Sequence, residues 1–147
     1  MRSKWYTFTS RPAESERALP ITVLLTDDQE VVRSSIRLLL NSDPEIRVVG
    51  EAFNFQQTIQ SATDLKPQVV IMDLHMADDS SVNPREFKSL LNTLGSRLIA
   101  ISFWDDEDTQ TLAESLGAVT LLDKLTLATE LIPAIKAATL KQRSASV

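Results

Sequence analysis

Two short runs of this chain are apolar on nearly every residue and then stop at an acid, and few folds accommodate that pattern twice. Ile21-Thr22-Val23-Leu24-Leu25 is followed by Asp27-Asp28, and Gln68-Val69-Val70-Ile71-Met72 by Asp73. β-Branched and apolar residues without alternation suit a strand covered on both faces, as in a parallel sheet. Such a strand needs helices above and below it, and the rest of the chain supplies them.

From 29 to 41 the residues Val32, Ile36, Leu39 and Leu40 recur at helical spacing, and Asp43-Pro44 blocks continuation. A strand at 46–52 and a helix at 55–65 follow, the latter stopping before Lys66-Pro67. The acid-terminated run at 68–72 leads to a helix at 86–94 through Phe87, Leu90, Leu91 and Leu94, with Gly95 as its stop. A strand at 97–102 and a helix at 105–116, closed by Gly117, make the fourth unit. The fifth is a strand at 118–122 and a helix from about 127 to 140, with Leu131, Ile132, Ile135 and Ala138 on one face. Pro133 fits that helix only near its first turn. Five β-α units in strict alternation predict an α/β doubly wound parallel sheet.

A chain of 147 residues with 43% hydrophobic content fits one core. Residues 1–19 read as an N-terminal extension, 20–141 as the domain and 142–147 as a C-terminal tail with no room for a second domain. Fifteen Lys and Arg against twenty Asp and Glu leave a net charge of −5, which argues against direct nucleic-acid binding. The absence of cysteine excludes disulfides, thiolate metal sites and a cysteine nucleophile. The longest apolar runs fall far short of the roughly 20 residues that span a bilayer. Residues 1–19 also lack the apolar stretch of a signal peptide, so no membrane association and a cytoplasmic location are expected.

Ligands of open α/β sheets bind outside the carboxyl ends of the strands. The residues at those ends are Asp27, Asp28, Asp73, Ser102 and Lys124. Taken singly, an acid after a strand is commonly a helix cap, and a lone lysine is commonly solvated. Jointly, three carboxylates on one rim repel one another unless a cation compensates, and hard oxygen ligands point to Mg²⁺ or Mn²⁺. Such a cation would neutralise a phosphoryl group arriving beside a carboxylate. Lys124 would hold phosphoryl oxygens as a point charge, and Ser102 would hydrogen-bond the remaining one.

With Val23-Leu24-Leu25-Thr26-Asp27-Asp28, Val70-Ile71-Met72-Asp73-Leu74-His75-Met76, Ser102 and Lys124 in this order, the chain resembles the receiver domain of bacterial two-component response regulators from about residue 20 to 140. The resemblance implies a flavodoxin-like (βα)5 three-layer sandwich with strand order 2-1-3-4-5. It implies Asp73 as phosphoacceptor; Asp28, Asp73 and the main-chain carbonyl of His75 as Mg²⁺ ligands; Asp27 acting through metal-bound water; Ser102 as switch hydroxyl; and Lys124 as phosphate binder. The implied phosphodonor is a phosphohistidine on a sensor histidine kinase or phosphotransfer protein, with small acyl phosphates as substitutes. The protein would not be a turnover enzyme. A homodimer through the fourth helix, fifth strand and fifth helix is a common receiver behaviour, and Leu112, Leu116 and Leu140 suit either core or interface. The segment 22–33 is most similar to receivers that precede a helix-turn-helix output domain, and the sequence is compatible with a stand-alone receiver and with a piece of a longer chain.

Several positions depart from the family. Phe103 stands where a small residue usually follows the switch hydroxyl, Leu121 where an aromatic usually precedes the lysine, and Leu125 where a cis proline is common, so a trans bond is expected there. Residues 77–84 predict a longer, more acidic loop in which Asp78 and Asp79 are solvated. His75 reads as an exposed loop residue, and with Trp104 it flanks the acceptor where bulk and polarity set phosphate lifetime. One rival reading is a phosphorylation-independent interaction module. A phosphohydrolase is disfavoured because His75 stands where such enzymes carry a second Asp, and a nucleotide-binding fold because G-x-G-x-x-G is missing.

Overall fold

The computed structural model describes residues 19–78 and 82–146. Strand β1 (Ile21–Thr26) leads to helix α1 (Glu30–Asn41), β2 (Ile46–Ala52) to α2 (Phe55–Leu65), and β3 (Val69–Asp73) through a 3₁₀ turn (Leu74–Asp78) to α3 (Pro84–Leu94). Strand β4 (Arg97–Ser102) leads to α4 (Glu107–Ser115), and β5 (Ala118–Asp123) through a second 3₁₀ turn (Lys124–Thr126) to α5 (Leu127–Ser146). The strands form one parallel sheet in the order β2-β1-β3-β4-β5, as the resemblance implied.

The unalternating runs behave as their composition requires. Every residue of β3 is buried, as is all of β1 except the partly covered Thr22. Successive side chains serve opposite layers. Val23, Leu25, Val69, Ile71, Ile99 and Ile101 pack with Ile36 and Leu40 of α1 and with Leu131 and Ile135 of α5. Leu24, Val70, Met72, Leu98 and Ala100 pack with residues of α2, α3 and α4, where Phe55 meets Phe87 edge to face at 5.2 Å. The edge strands β2 and β5 are only half covered, so the two-sided burial belongs to the three central strands. Of the nine residues of α4, only Ala113 is fully buried.

Gly95 and Gly117 stop α3 and α4 in the left-handed conformation at φ of 75° and 86°, which a Cβ would strain. All peptide bonds among the described residues are trans, including the one before Leu125. Two helix expectations need correction. Pro133 is the seventh residue of α5 and sits beyond its first turn. It is tolerated because its ring faces solvent, where water can serve the carbonyl that loses its N–H partner. Helix α5 also runs to Ser146, six residues past its expected end. Of the dimerisation candidates, Leu116 is core, Leu112 packs partly against it, and Leu140 is exposed. The acidic loop expected at 77–84 lies in part outside the described residues.

Candidate phosphoryl-acceptor site

One local device recurs at four strand ends. Asp27 Oδ1 accepts the main-chain N–H of Gln29 at 2.8 Å, Asp73 Oδ1 that of His75 at 3.0 Å, Ser102 Oγ that of Trp104 at 3.0 Å and Asp123 Oδ1 that of Leu125 at 2.8 Å. Each side chain closes its own turn by reaching two residues forward, as short polar residues do. The helix-cap reading therefore needs correction for Asp27, which closes the turn before Gln29, the residue that caps α1 without a side-chain bond, whereas Asp73 does open the 3₁₀ turn at Leu74. For Asp27 and Asp73 the second oxygen is left facing the rim.

Those oxygens meet Lys124. Its ammonium lies 2.9 Å from Asp27 Oδ2 and 3.1 Å from Asp73 Oδ2, and its side chain is 2% exposed. The strand register explains the convergence: Asp73 is level with Ile101, and Ser102 with Asp123, so the ends of β3, β4 and β5 stand side by side. Asp28 is exposed, yet one oxygen from each of Asp27, Asp28 and Asp73 lies within 4.8 Å of the others. That spacing lets a single cation reach all three. Among the described residues no other group of acids and histidines converges in this way. Burial pushes the Asp73 carboxyl above its ordinary range, opposed by the His75 N–H and by Lys124 and assisted by the neighbouring charge of Asp27.

Several contacts at the rim could not be read from the sequence. The ammonium of Lys124 lies 5.1 Å from the centre of the Phe103 ring, a cation–π arrangement. His75 is exposed, as expected, and its ring packs edge to face on Trp104 at 4.2 Å, while Trp104 meets Phe103 at 6.2 Å. Arg33 reaches back from α1, donating from Nη1 to the Asp27 carbonyl at 2.7 Å and from Nε to Glu51 Oε1 at 2.9 Å. Arg37 holds the other oxygen of Glu51 at 2.6 Å. The only sequence signal for this brace is an arginine on the first helix and an acid near the end of the second strand, and such residues are usually solvated.

Two clefts flank Phe103. One of about 340 Å³ is apolar, lined by Val31, Val32, Leu39, Leu125 and Leu127 among others. The other, of about 550 Å³, runs between the β4–α4 loop and β5 and is lined by Ser102, Trp104, Leu121 and Asp123 among others. Among the described residues no helix is long and apolar enough to cross a membrane.

Comparison with known proteins points to one family. The family model for the response regulator receiver domain matches residues 23–136. The transcriptional regulatory protein LiaR of Bacillus subtilis is 35% identical over 120 residues, covering 80% of this chain and 56% of LiaR. The chain spans about half the length of the curated relatives it matches first. Among solved structures, the signal receiver domain of NarL from Mycobacterium tuberculosis superposes with a TM-score of 0.73 at 22% identity, over 83% of this chain and 98% of that one. The response regulator domain of Thermotoga maritima CheB does so with a TM-score of 0.69 at 27% identity, over 81% and 96% respectively.

Proposed function

Because this chain belongs to the response regulator receiver domain family, we propose that it is a phosphoacceptor switch of a two-component system, with Asp73 as the residue that takes the phosphoryl group. The observation that carries this reading is the buried ammonium of Lys124 held between Asp27 and Asp73 beside a third carboxylate. With all three carboxylates ionised, the site keeps two negative charges that Lys124 does not balance. A divalent cation matches that deficit, and the donor set is all oxygen, so the residues fit Mg²⁺ or Mn²⁺. Asp28, Asp73 and the main-chain carbonyl of His75 would hold it directly, and Asp27 through water. When bound, the metal supplies charge neutralisation at the phosphoryl oxygens.

In the transfer, an Asp73 carboxylate oxygen forms a bond to phosphorus while the bond from phosphorus to the donor breaks. From a phosphohistidine of a sensor histidine kinase or phosphotransfer protein, the pair of the broken P–N bond stays on the ring nitrogen. From an acyl phosphate, the pair of the P–O bond leaves on a carboxylate. Lys124, already 3.1 Å from Asp73 Oδ2, is in reach of a phosphoryl oxygen attached there. Ser102 would give up the Trp104 N–H to turn its hydroxyl toward the same group, loosening the β4–α4 loop. The acceptor keeps its product, so the chain acts in the cytoplasm as a signalling switch and is not a turnover enzyme. Its output is a change in protein contacts, including a homodimer through α4, β5 and α5, on which Val119 and Leu140 are exposed.

A second reading, a phosphorylation-independent interaction module, draws support from the Phe103 ring lying against Lys124. One experiment separates the two. The protein is incubated with Mg²⁺ and a small acyl phosphate, and intact mass and tryptophan fluorescence are followed beside Asp73→Asn. A metal-dependent adduct lost in Asp73→Asn supports the switch. A folded protein that binds Mg²⁺ and forms no adduct sinks it in favour of the module.

A further inference from the structure

We propose that Phe103 is a positioning residue that caps Lys124 in the unphosphorylated state and so restricts which phosphodonors can use the site. The inference rests on the reading of Asp73 as acceptor and concerns what covers the ammonium besides the two carboxylates. Asp27 and Asp73 lie 2.9 and 3.1 Å from Lys124 Nζ, and the centre of the Phe103 ring lies 5.1 Å from it. The lysine side chain is 2% exposed, whereas the ring that helps cover it is 44% exposed. Cover of this kind comes from a side chain at the surface, which can leave without breaking the core.

The molecule offers the ring somewhere to go. Phe103 lines both the apolar cleft of about 340 Å³ and the cleft of about 550 Å³ beside β5. In the first, Val31 and Leu125 stand 79% and 78% exposed, so a displaced ring would exchange its hold on the ammonium for apolar contact. Phe103 also follows Ser102 directly, and the hydrogen bond from Trp104 N–H to Ser102 Oγ spans it. Turning Ser102 toward a phosphoryl group therefore disturbs the turn that aims the ring. A protein donor that presses on Val31 and Leu125 can shift the ring as it docks. A small acyl phosphate has no surface with which to do so and must wait for the ring to open.

Two measurements test this on the intact chain and its Phe103→Ala, Phe103→Leu and Phe103→Tyr variants, with equal melting temperatures as the control for folding. The first is trace acetylation of Lys124 without metal or phosphate, read by peptide mass relative to the exposed Lys88. Phe103→Ala and Phe103→Leu are expected to raise Lys124 labelling roughly tenfold, in the range that losing a cation–π contact allows, while Phe103→Tyr retains protection. The second is the rate of adduct formation with a small acyl phosphate and Mg²⁺, expected to rise by a similar factor in Phe103→Ala. Lys124 labelling at the wild-type rate in Phe103→Ala, or equal protection by leucine, overturns the cap. Unchanged adduct rates overturn its role in donor choice. If no variant forms an adduct that Asp73→Asn lacks, the acceptor reading fails instead, and the labelling result still decides the cap.

Discussion

Replacing Lys124 by methionine keeps the apolar stem and removes the charge that Asp27 and Asp73 share. Both acids are buried, at 0% and 1% exposure, so neither carboxylate can turn to bulk water for compensation. Removing one partner of a buried ion pair typically costs about 3–5 kcal/mol, because the remaining charge is left uncompensated. Asp73 can relieve part of that by taking a proton, which argues for the lower end, about 3 kcal/mol at neutral pH. For a domain of this size that corresponds to a fall in Tm of about 6–12 °C. The deficit should depend on pH in a definite direction. Burial already raises the Asp73 carboxyl above its ordinary value of 3.8, and Lys124 opposes the rise, so Lys124→Met raises it further. A carboxyl whose pKa is higher folded than unfolded binds its proton more readily when folded. Stability then falls as pH rises from about 4 through the folded-state value and stays low above it. The variant should lie well below wild type at pH 7 and approach it as pH is lowered toward 5. Mg²⁺ should also raise Tm more in Lys124→Met than in wild type, since no ammonium competes for the carboxylates. Thermal melts at three pH values, with and without Mg²⁺, check all of this. A variant that melts with wild type at pH 7, or whose deficit is the same at pH 5 and pH 7, refutes the argument that the ammonium compensates these carboxylates.

Two further substitutions test other parts of the molecule. Thr26 is fully buried at the end of β1 and its hydroxyl has no hydrogen-bond partner among the described residues, so Thr26→Val should stabilise by about 1 kcal/mol in denaturant unfolding; a loss of stability would show that the hydroxyl is satisfied. Arg33→Lys cannot hold the Asp27 carbonyl and Glu51 together, and Mg²⁺ affinity read by tryptophan fluorescence should weaken about tenfold, as when groups orienting metal ligands are lost; unchanged affinity would show that the Asp27–Asp28 turn holds itself.

Much of this was legible in the chain because it depends on short-range patterns. Apolar runs such as 21–25 and 68–72 announce buried strands whatever surrounds them, and Gly95 and Gly117 announce helix ends. Asp27, Asp73, Ser102 and Lys124 could be grouped from sequence because in an alternating β-α chain each strand end falls on the same rim. What could not be read depends on side-chain reach across that rim. Phe103 was legible as bulk, but its alignment with Lys124 follows from how the Ser102 turn aims it. Arg33 lies on α1 and Glu51 on β2, and nothing in their spacing says that one guanidinium joins the Glu51 carboxylate to the Asp27 carbonyl. Pro133 was misjudged because propensity counts the lost hydrogen bond without knowing that it falls on the solvent side.

The sparse anchoring of α4 has a consequence for how a message would leave this molecule. Of its nine residues the helix buries Ala113 and, in part, Leu112, and its N-terminus follows the loop that Ser102 and Trp104 close. Rearranging it would leave the layer of α1 and α5 untouched, since that layer packs on the opposite side of the sheet. On the proposed reading, a local change in hydrogen bonding at Ser102 would therefore reach the surface first through the thinly buried α4.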